Sequence, residues 1–370
     1  MTDLGPRLAR RGARVLVAGA LLMVAIAALV MVLTFASGYD PVRAVEALWS
    51  GSLGSRYAVL SATLVRATPL ILTGLSVTLA FTAGVMNIGA EGQLLAGATA
   101  ATAVAVIAGQ ALGAVSLPVS LVAGGIAGAA WAYVPAWLRR RFGVLEVIST
   151  IMMNFVALYL VGYLVRGPLQ EPLRIYPQSA TLLESARLPI LVNGTRLHAG
   201  FVIAIACAGL LWWALRFSAS GFRVRVLGGS PDAARSAALI DVGKTAMRAF
   251  LLSGLLAGLA GAIEVTGVTY SLYENLSPGY GYTAIAVALV GSLNPILTAL
   301  SGMLFGALEA GASAMQRDAG VPSVLATVVE ASVILLLIGI ASVRAPVSRW
   351  RRSRAMRHDG VRPEPVSETS

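Results

Sequence analysis

The chain has 370 residues, of which 57% are hydrophobic and only 12% are charged, and its mean hydropathy is +0.79. An ordinary soluble domain carries about twice that charged fraction, so the composition excludes this class and indicates an integral membrane protein. The net charge of +11 lies mostly in short basic blocks between or beyond apolar segments, which is typical of membrane topology and argues against a nucleic-acid partner.

Apolar segments along the chain predict an all-α, polytopic membrane protein with about ten transmembrane helices. The first segment, residues 15–35, is longer than the apolar region of a cleaved signal peptide, so a retained helix is favoured. The second contains Pro69 and the eighth is short, and broken or short helices often line a substrate path. The remaining predicted segments are residues 60–83, 88–108, 117–138, 146–165, 199–217, 245–267, 280–293, 295–315 and 322–343.

The basic residues predict the orientation and the domain boundaries. Both termini are expected in the cytoplasm, because this arrangement places most lysines and arginines on the cytoplasmic side. We therefore divide the chain into a cytoplasmic segment 1–14, a transmembrane domain 15–343 and a cytoplasmic tail 344–370. The tail is basic and then acidic, so we expect it to be disordered and to contact anionic lipid through its basic part.

Side chains that carry metal or catalytic chemistry are scarce. Cys207 is the single cysteine, and His198 and His358 are far apart, so no metal site and no catalytic residue are predicted. The sequence Val242-Gly243-Lys244-Thr245 resembles the end of a phosphate-binding loop, but Ala238 stands where the first glycine of that motif is required. We therefore expect any ATP dependence to come from a partner.

The loop 218–244 is longer than a simple connection requires. Ser230 is suited to cap a helix, Pro231 to begin it, and Asp232 to interact with the positive end of its dipole, so a short helix is predicted over residues 231–238. Its alanine-rich face suits docking into a groove of another subunit. A surface helix lying among lipid headgroups remains the alternative.

Polar residues in apolar surroundings are the main indication of function. Residues 87–93 (NIGAEGQ) place Asn87, Glu91 and Gln93 between two apolar segments. Such groups require protein partners or a water-filled path, because an unpaired charge at the bilayer centre costs about 2.5–3.5 kcal/mol or more. Protein partners or a water-filled path are also required for the ionisable residues Arg66, Glu264, Glu309 and Glu330. A structural pair between Arg66 and a glutamate and a role in transport are both open.

Two further patterns concern packing. Glycines recur at a spacing of four residues, as in Gly124 with Gly128 and Gly254 with Gly258, which predicts closely packed helices. Tyrosines cluster between residues 270 and 282, where they can form an interfacial aromatic belt or stack on a base or sugar.

Four separated blocks carry a family resemblance over residues 60–340. They are residues 69–75 (PLILTGL) leading to 83–93 (AGVMNIGAEGQ), 146–155 (EVISTIMMNF), 229–235 (GSPDAAR), and 279–289 (GYGYTAIAVAL) followed by 293–295 (LNP). In this order they resemble permease subunits of ABC importers for simple sugars and nucleosides, in the group that includes ribose and branched-chain amino-acid permeases. The form of block 87–93 resembles the nucleoside branch more than the ribose branch.

The resemblance implies a set of partners and a location. A second permease subunit, identical or different, a cytoplasmic ATPase that binds ATP and Mg²⁺, and an extracytoplasmic solute-binding protein would assemble with this chain in a plasma membrane of the bacterial inner-membrane type. The chain itself would hold no cofactor. Contact with the ATPase would fall on the predicted short helix, at Ser230, Pro231, Asp232, Ala233, Ala234 and Arg235.

Candidates for the translocation pathway rest on polarity and position, and they are Asn87, Glu91, Gln93 and Asn154. The alternative function is a secondary transporter in which Glu91, Glu309 or Glu330 carries a proton. A membrane-embedded enzyme is disfavoured because the chain lacks a cluster of catalytic side chains.

Overall fold

The computed structural model describes residues 24–230, 232 and 241–339. This part of the chain is helical and contains no β-strand beyond isolated bridges. Its longer helices are α1 Val24–Ala36, α2 Pro41–Ser52, α3 Arg56–Thr82, α4 Ala90–Ile107, α5 Ser116–Phe142, α6 Glu146–Val165, α7 Gly200–Phe217, α8 Ala219–Gly229, α9 Val242–Thr269, α10 Tyr280–Val290, α11 Pro295–Asp318 and α12 Ser323–Gly339.

The prediction of about ten membrane helices is confirmed over the described residues. Seven helices are long and apolar enough to cross a membrane, namely α3, α4, α5, α6, α7, α9 and α11, and α1, α10 and α12 are shorter apolar helices. The predicted segments 1–14 and 344–370 lie outside the described residues.

Two helices were not predicted because they are not continuously apolar. α2 begins where Asp40 Oδ1 accepts hydrogen bonds from the backbone N–H groups of Val42 and Arg43, at 2.9 and 3.2 Å. α8 lies within the loop 218–244 and is capped by Ser218, whose Oγ accepts from Gly221 N–H at 3.0 Å. Both starts carry a recognisable capping residue, but a search for membrane-length apolar segments passes over them.

The prediction that Pro69 interrupts the second apolar segment was wrong, since α3 continues through this residue. Residues 67–80 are buried on all sides, and surrounding helices can hold a helix together where a proline removes one hydrogen bond. The irregular turn of α3 is the π-helical segment Val59–Thr63, nearer its start.

The long loop 166–199 packs over the end of α9. Its backbone donates from Ser179 to Leu272 O at 2.7 Å and from Leu188 to Thr266 O at 2.9 Å. We call this side of the bundle the long-loop end and the opposite side, marked by Arg139–Arg141, the arginine end. At the long-loop end His198 is fully buried beside Gly200 and Gly267, and burial, with the charge of Arg196, lowers the pKa of His198 to about 4. The side chain is therefore neutral at physiological pH.

Glycines allow α4, α5 and α9 to approach each other closely. A Cβ atom at Gly97 would collide with the carbonyl of Gly258, one at Gly258 with the carbonyl of Gly124, and one at Gly128 with the carbonyl of Gly254. The predicted packing role of the glycine pairs is confirmed, because backbone meets backbone at these positions.

Replacing Gly258 should destabilise the bundle. Gly258→Ala introduces a methyl group where Gly128 Cα would be 2.8 Å away, so we expect the free energy of unfolding to fall by about 1–3 kcal/mol. The matched control is Gly209→Ala in α7, because a Cβ atom there meets nothing within 4 Å. Thermal unfolding of the detergent-solubilised full chain measures both variants. Equal stability of the two variants would contradict the packing assignment.

Candidate functional site

The stretch 83–89 returns the chain from α3 into the interior, where Asn87 and Gln93 bind each other through both amide groups. Asn87 Nδ2 donates to Gln93 Oε1 at 2.8 Å, and Gln93 Nε2 donates to Asn87 Oδ1 at 3.0 Å. Their exposed fractions are 0% and 1%. Asn87 Oδ1 also accepts from Gly89 N–H at 2.9 Å. The polar stretch is thus satisfied by protein groups, as an interior position requires.

Hydroxyl groups connect this amide pair to two other helices. Asn87 Nδ2 donates to Ser253 Oγ of α9 at 2.8 Å, and Ser253 Oγ lies 2.8 Å from the backbone oxygen of Ser76 in α3. Ser253 is the twelfth residue of α9, so the network lies about 17 Å along that helix from its start at the arginine end. This depth is close to the middle of a bilayer core.

Asn154 of α6 forms hydrogen bonds with the backbone at the first turn of α4. Its Oδ1 accepts from Gly92 N–H at 2.9 Å, and its Nδ2 donates to Ile88 O at 2.9 Å and to the Tyr282 hydroxyl at 3.3 Å. The N–H groups of a helix's first turn have no partner within that helix. Asn154 therefore serves as a cap supplied by another helix.

Glu91 joins the starts of α4 and α10. Its Oε2 accepts from Gly281 N–H at 2.7 Å, and its exposed fraction is 7%. A Cβ atom at Gly281 would collide with the backbone of Glu91, so only glycine permits this contact. The carboxylate thus lies at the positive ends of two helices, which stabilise a negative charge.

The four predicted pathway residues therefore lie together around the start of α4, in a region that we call the buried polar network. Its three hydrogen-bonded groups are Asn87 with Gln93, Ser253 and Ser76, then Asn154 with Gly92, Ile88 and Tyr282, and finally Glu91 with Gly281. None of the four is among the residues that line a polar cavity at the long-loop end. Their role in translocation stays a prediction.

That cavity has a volume of about 550 Å³ and lies between α3, α9, α10, α11 and the segment 270–279. The exposed residues Arg196, Asn275 and Pro278 stand at its rim, so it opens at the long-loop end. Its polar and aromatic lining residues are Ser61, Arg66, Arg196, Glu264, Thr269, Tyr273, Asn275, Tyr280 and Glu309.

Two π-helical turns form part of the cavity wall. The turn Val59–Thr63 of α3 contributes Ser61, and the turn Val265–Thr269 of α9 contributes Val268 and Thr269. Single π-helical turns within α-helices are frequent at functional sites, since the extra residue redirects the side chains around it.

Charged residues of the cavity partly neutralise each other. Arg66 Nε lies 3.9 Å from Glu309 Oε1, and Arg66 Nη2 donates to Ser313 Oγ at 3.3 Å. A pair between Arg66 and a glutamate, one of the two alternatives from the sequence, is therefore present.

The pathway residues that the sequence predicts do not include the residues that line this cavity. Arg66, Glu264 and Glu309 were visible as charges within apolar segments, and Tyr273 and Tyr280 as part of the tyrosine cluster. Their proximity in the fold could not be predicted, because they come from four parts of the chain separated by up to 243 positions.

The predicted partner-docking segment is described only in part. Ser230 ends α8 with extended backbone, φ −160° and ψ 105°, a conformation that a helix N-cap also requires. Pro231, Ala233, Ala234 and Arg235 lie outside the described residues, and so does most of the predicted helix 231–238. Asp232 is helical.

The helix that leads to this segment packs against the end of α3. A Cβ atom at Gly228 of α8 would collide with the carbonyl of Thr82, and one at Gly84 would lie 3.2 Å from Gly228 Cα. Gly84 has a φ of +72°, which allows the chain to turn back towards Asn87. The loop 218–244 and the polar stretch are thus in direct backbone contact.

Comparisons with known proteins agree on one class. The family model described as branched-chain amino acid transport system / permease component matches residues 59–341. The chain is 40% identical to the glucose ABC transporter permease protein TsgB13 of Haloferax volcanii, over 81% of this chain and 80% of the relative. It is 37% identical to the guanosine ABC transporter permease protein NupP of Bacillus subtilis, over 86% of this chain and 92% of the relative.

A third relative is the nucleoside ABC transporter permease protein NupB of Lactococcus lactis, with 30% identity over 83% of this chain and 86% of the relative. No solved structure matches the chain significantly. The family match covers the cavity, the buried polar network and α8 alike. The chain therefore belongs to the permease component family of branched-chain amino acid transport systems and is a multi-pass subunit of an ABC transporter.

Proposed function

We propose that this subunit forms the translocation pathway of an ATP-driven importer for nucleosides or simple sugars. The observation that carries the proposal is the cavity of about 550 Å³ at the long-loop end, a volume within the range of small-molecule sites. The relatives named for glucose, guanosine and nucleosides support this substrate class.

The chemistry of the cavity suits a neutral, hydroxylated substrate. Arg66 and Glu309 lie within ion-pair distance, so neither provides an unbalanced charge for an ionic ligand. Tyr273 and Tyr280 supply aromatic faces with hydroxyl groups, which can pack on a sugar or base and hydrogen bond at its edge.

The proposed assembly follows from the two ends of the bundle. The arginine end would face the cytoplasm under the positive-inside rule, where a partner ATPase would bind ATP and Mg²⁺. The cavity would then open towards an extracytoplasmic solute-binding protein. A second permease subunit would complete the pathway in a cytoplasmic membrane of the bacterial inner-membrane type, and this chain would hold no cofactor.

Coupling to the ATPase would run through the loop 218–244. The contact between Gly228 and Gly84 joins α8 to the turn that precedes Asn87, and Asn87 hydrogen bonds Ser253 in α9. Movement of the loop would shift this network between two packed arrangements, and substrate and ATP would each favour one of them.

Transport by the reconstituted importer tests the proposed function. We expect proteoliposomes with the permease pair, the ATPase and the solute-binding protein to accumulate guanosine or glucose only when ATP is supplied to the ATPase. The rival mechanism, a secondary transporter with Glu91, Glu309 or Glu330 as proton carrier, predicts uptake without the ATPase that stops when the proton gradient is collapsed. That second result would contradict the proposal.

Substitutions in the docking segment should separate ATP hydrolysis from transport. For Asp232→Ala and Arg235→Ala we expect ATPase activity to persist while transport per ATP falls several-fold, because the segment would lose polar contacts to the ATPase, each contributing about 0.5–3 kcal/mol. The control is Glu171→Gln in the long loop at the opposite end. Unchanged transport per ATP in both docking variants would count against this segment as the ATPase contact.

Glu91→Gln tests the polar network. Glutamine keeps an oxygen for Gly281 N–H but removes the charge at the two helix ends, which weakens the contact by roughly 1 kcal/mol. We expect a several-fold lower uptake rate with a normal amount of protein in the membrane. Normal uptake would assign the Glu91 carboxylate to packing alone.

A further inference from the structure

Glu264 is a buried carboxylate that faces the cavity without a partner. Its exposed fraction is 5%, and it lines the cavity at the end of the α-helical part of α9. Across the described residues its side chain has no hydrogen bond and no ion pair within 4 Å. Buried carboxylates are normally paired or hydrogen bonded, because transferring an unpaired charge from water is costly. Because Glu264 lines an open cavity, hydroxyl groups of a molecule bound there can donate to its carboxylate.

The other charged residues of the cavity are already engaged or exposed. Arg66 contacts Glu309 and Ser313, and Arg196 is exposed at the rim. The π-helical turn Val265–Thr269 follows Glu264 directly. The carboxylate therefore lies where the helix geometry changes, and it remains available to a ligand.

The surroundings favour a neutral donor over a cation. The formal charges of Arg66 and Arg196 in the lining balance those of Glu264 and Glu309, so the cavity has no net negative charge to hold a cation. The described residues also contain no group of three or more His, Cys, Asp or Glu side chains suited to hold a metal ion. A pair of hydroxyl groups has no charge and supplies two donors to the two oxygens of one carboxylate.

We propose that Glu264 is a specificity-determining residue that binds two adjacent hydroxyl groups of the transported sugar or nucleoside. This inference rests on the proposed function and narrows its substrate class to compounds with a vicinal diol. Glucose and guanosine, the substrates in the names of two relatives, both carry such a pair. Tyr273 and Tyr280 then flank the bound ring from the segment 270–279 and the start of α10.

Uptake of guanosine relative to 2′-deoxyguanosine by the complete reconstituted importer tests this proposal. The deoxy compound lacks one of the two adjacent hydroxyls. In Glu264→Gln one carboxylate oxygen becomes an amide donor, so we expect the guanosine to deoxyguanosine uptake ratio to fall about tenfold. The solute-binding protein is the same in all samples, so a changed ratio reports on the permease.

Control variants distinguish substrate binding from structure. Glu274→Gln, which removes an ion pair with Arg166 outside the cavity, should leave the ratio unchanged. Glu264→Asp keeps the charge but withdraws it by one methylene, so the ratio should fall while the complex still assembles. This variant provides the test if Glu264→Gln reduces the amount of complex in the membrane.

Three outcomes would contradict either diol binding by Glu264 or the proposed function. An unchanged ratio in the Glu264 variants contradicts diol binding. An equal loss of uptake for both compounds also contradicts it, because it assigns Glu264 to the conformational change or to a bound cation. Failure of the unmodified importer to transport either guanosine or glucose contradicts the proposed function itself, and this result is separate from any effect of the variants.

Discussion

The structure depends on two helices that begin in the interior of a membrane-spanning bundle. α4 begins at Ala90 and α10 at Tyr280, and these starts meet where Glu91 accepts a hydrogen bond from Gly281 N–H. In a lipid environment the N–H groups of a helix's first turn have no water to bind. Glu91 and Asn154 supply these partners from within the protein. The polar residues of the sequence 87–93 are therefore a requirement of this helix geometry, whatever further role they have in transport.

Close helix packing makes this arrangement possible. Gly281 lets α10 approach the Glu91 backbone, and Gly92 leaves room for Asn154 Oδ1, which would lie 2.9 Å from a Cβ atom. Glycines at the contacts of α4, α5 and α9 bring these helices together behind the network. Small residues stabilise membrane helices through van der Waals contact, since the surrounding lipid is itself apolar and provides little hydrophobic driving force.

The sequence predicted the elements far better than it predicted the cavity. The bounds of α6 agreed because Glu146 and Val165 mark sharp changes of polarity, and hydropathy depends on local composition. α2 and α8 were not predicted because neither forms a long apolar segment. The grouping of Asn87, Gln93 and Asn154 as functional candidates came from polarity alone, and the structure brings them together. The approach of Arg66, Glu264 and Glu309 depends on tertiary packing, which no local pattern encodes.

The cavity and the buried network share the first turn of α10. Tyr280 lines the cavity, and the next residue, Gly281, donates to Glu91. A ligand that displaces the backbone at Tyr280 would therefore change the position of Gly281 relative to the start of α4. From the start of α4, the hydrogen bond between Asn87 and Ser253 reaches α9. The backbone contact between Gly84 and Gly228 reaches α8. The contacts form a continuous route of hydrogen bonds and backbone packing from the long-loop end to the loop 218–244. Because packed interiors switch between discrete arrangements more readily than they deform, this route is suited to couple occupancy of the cavity to events at the arginine end.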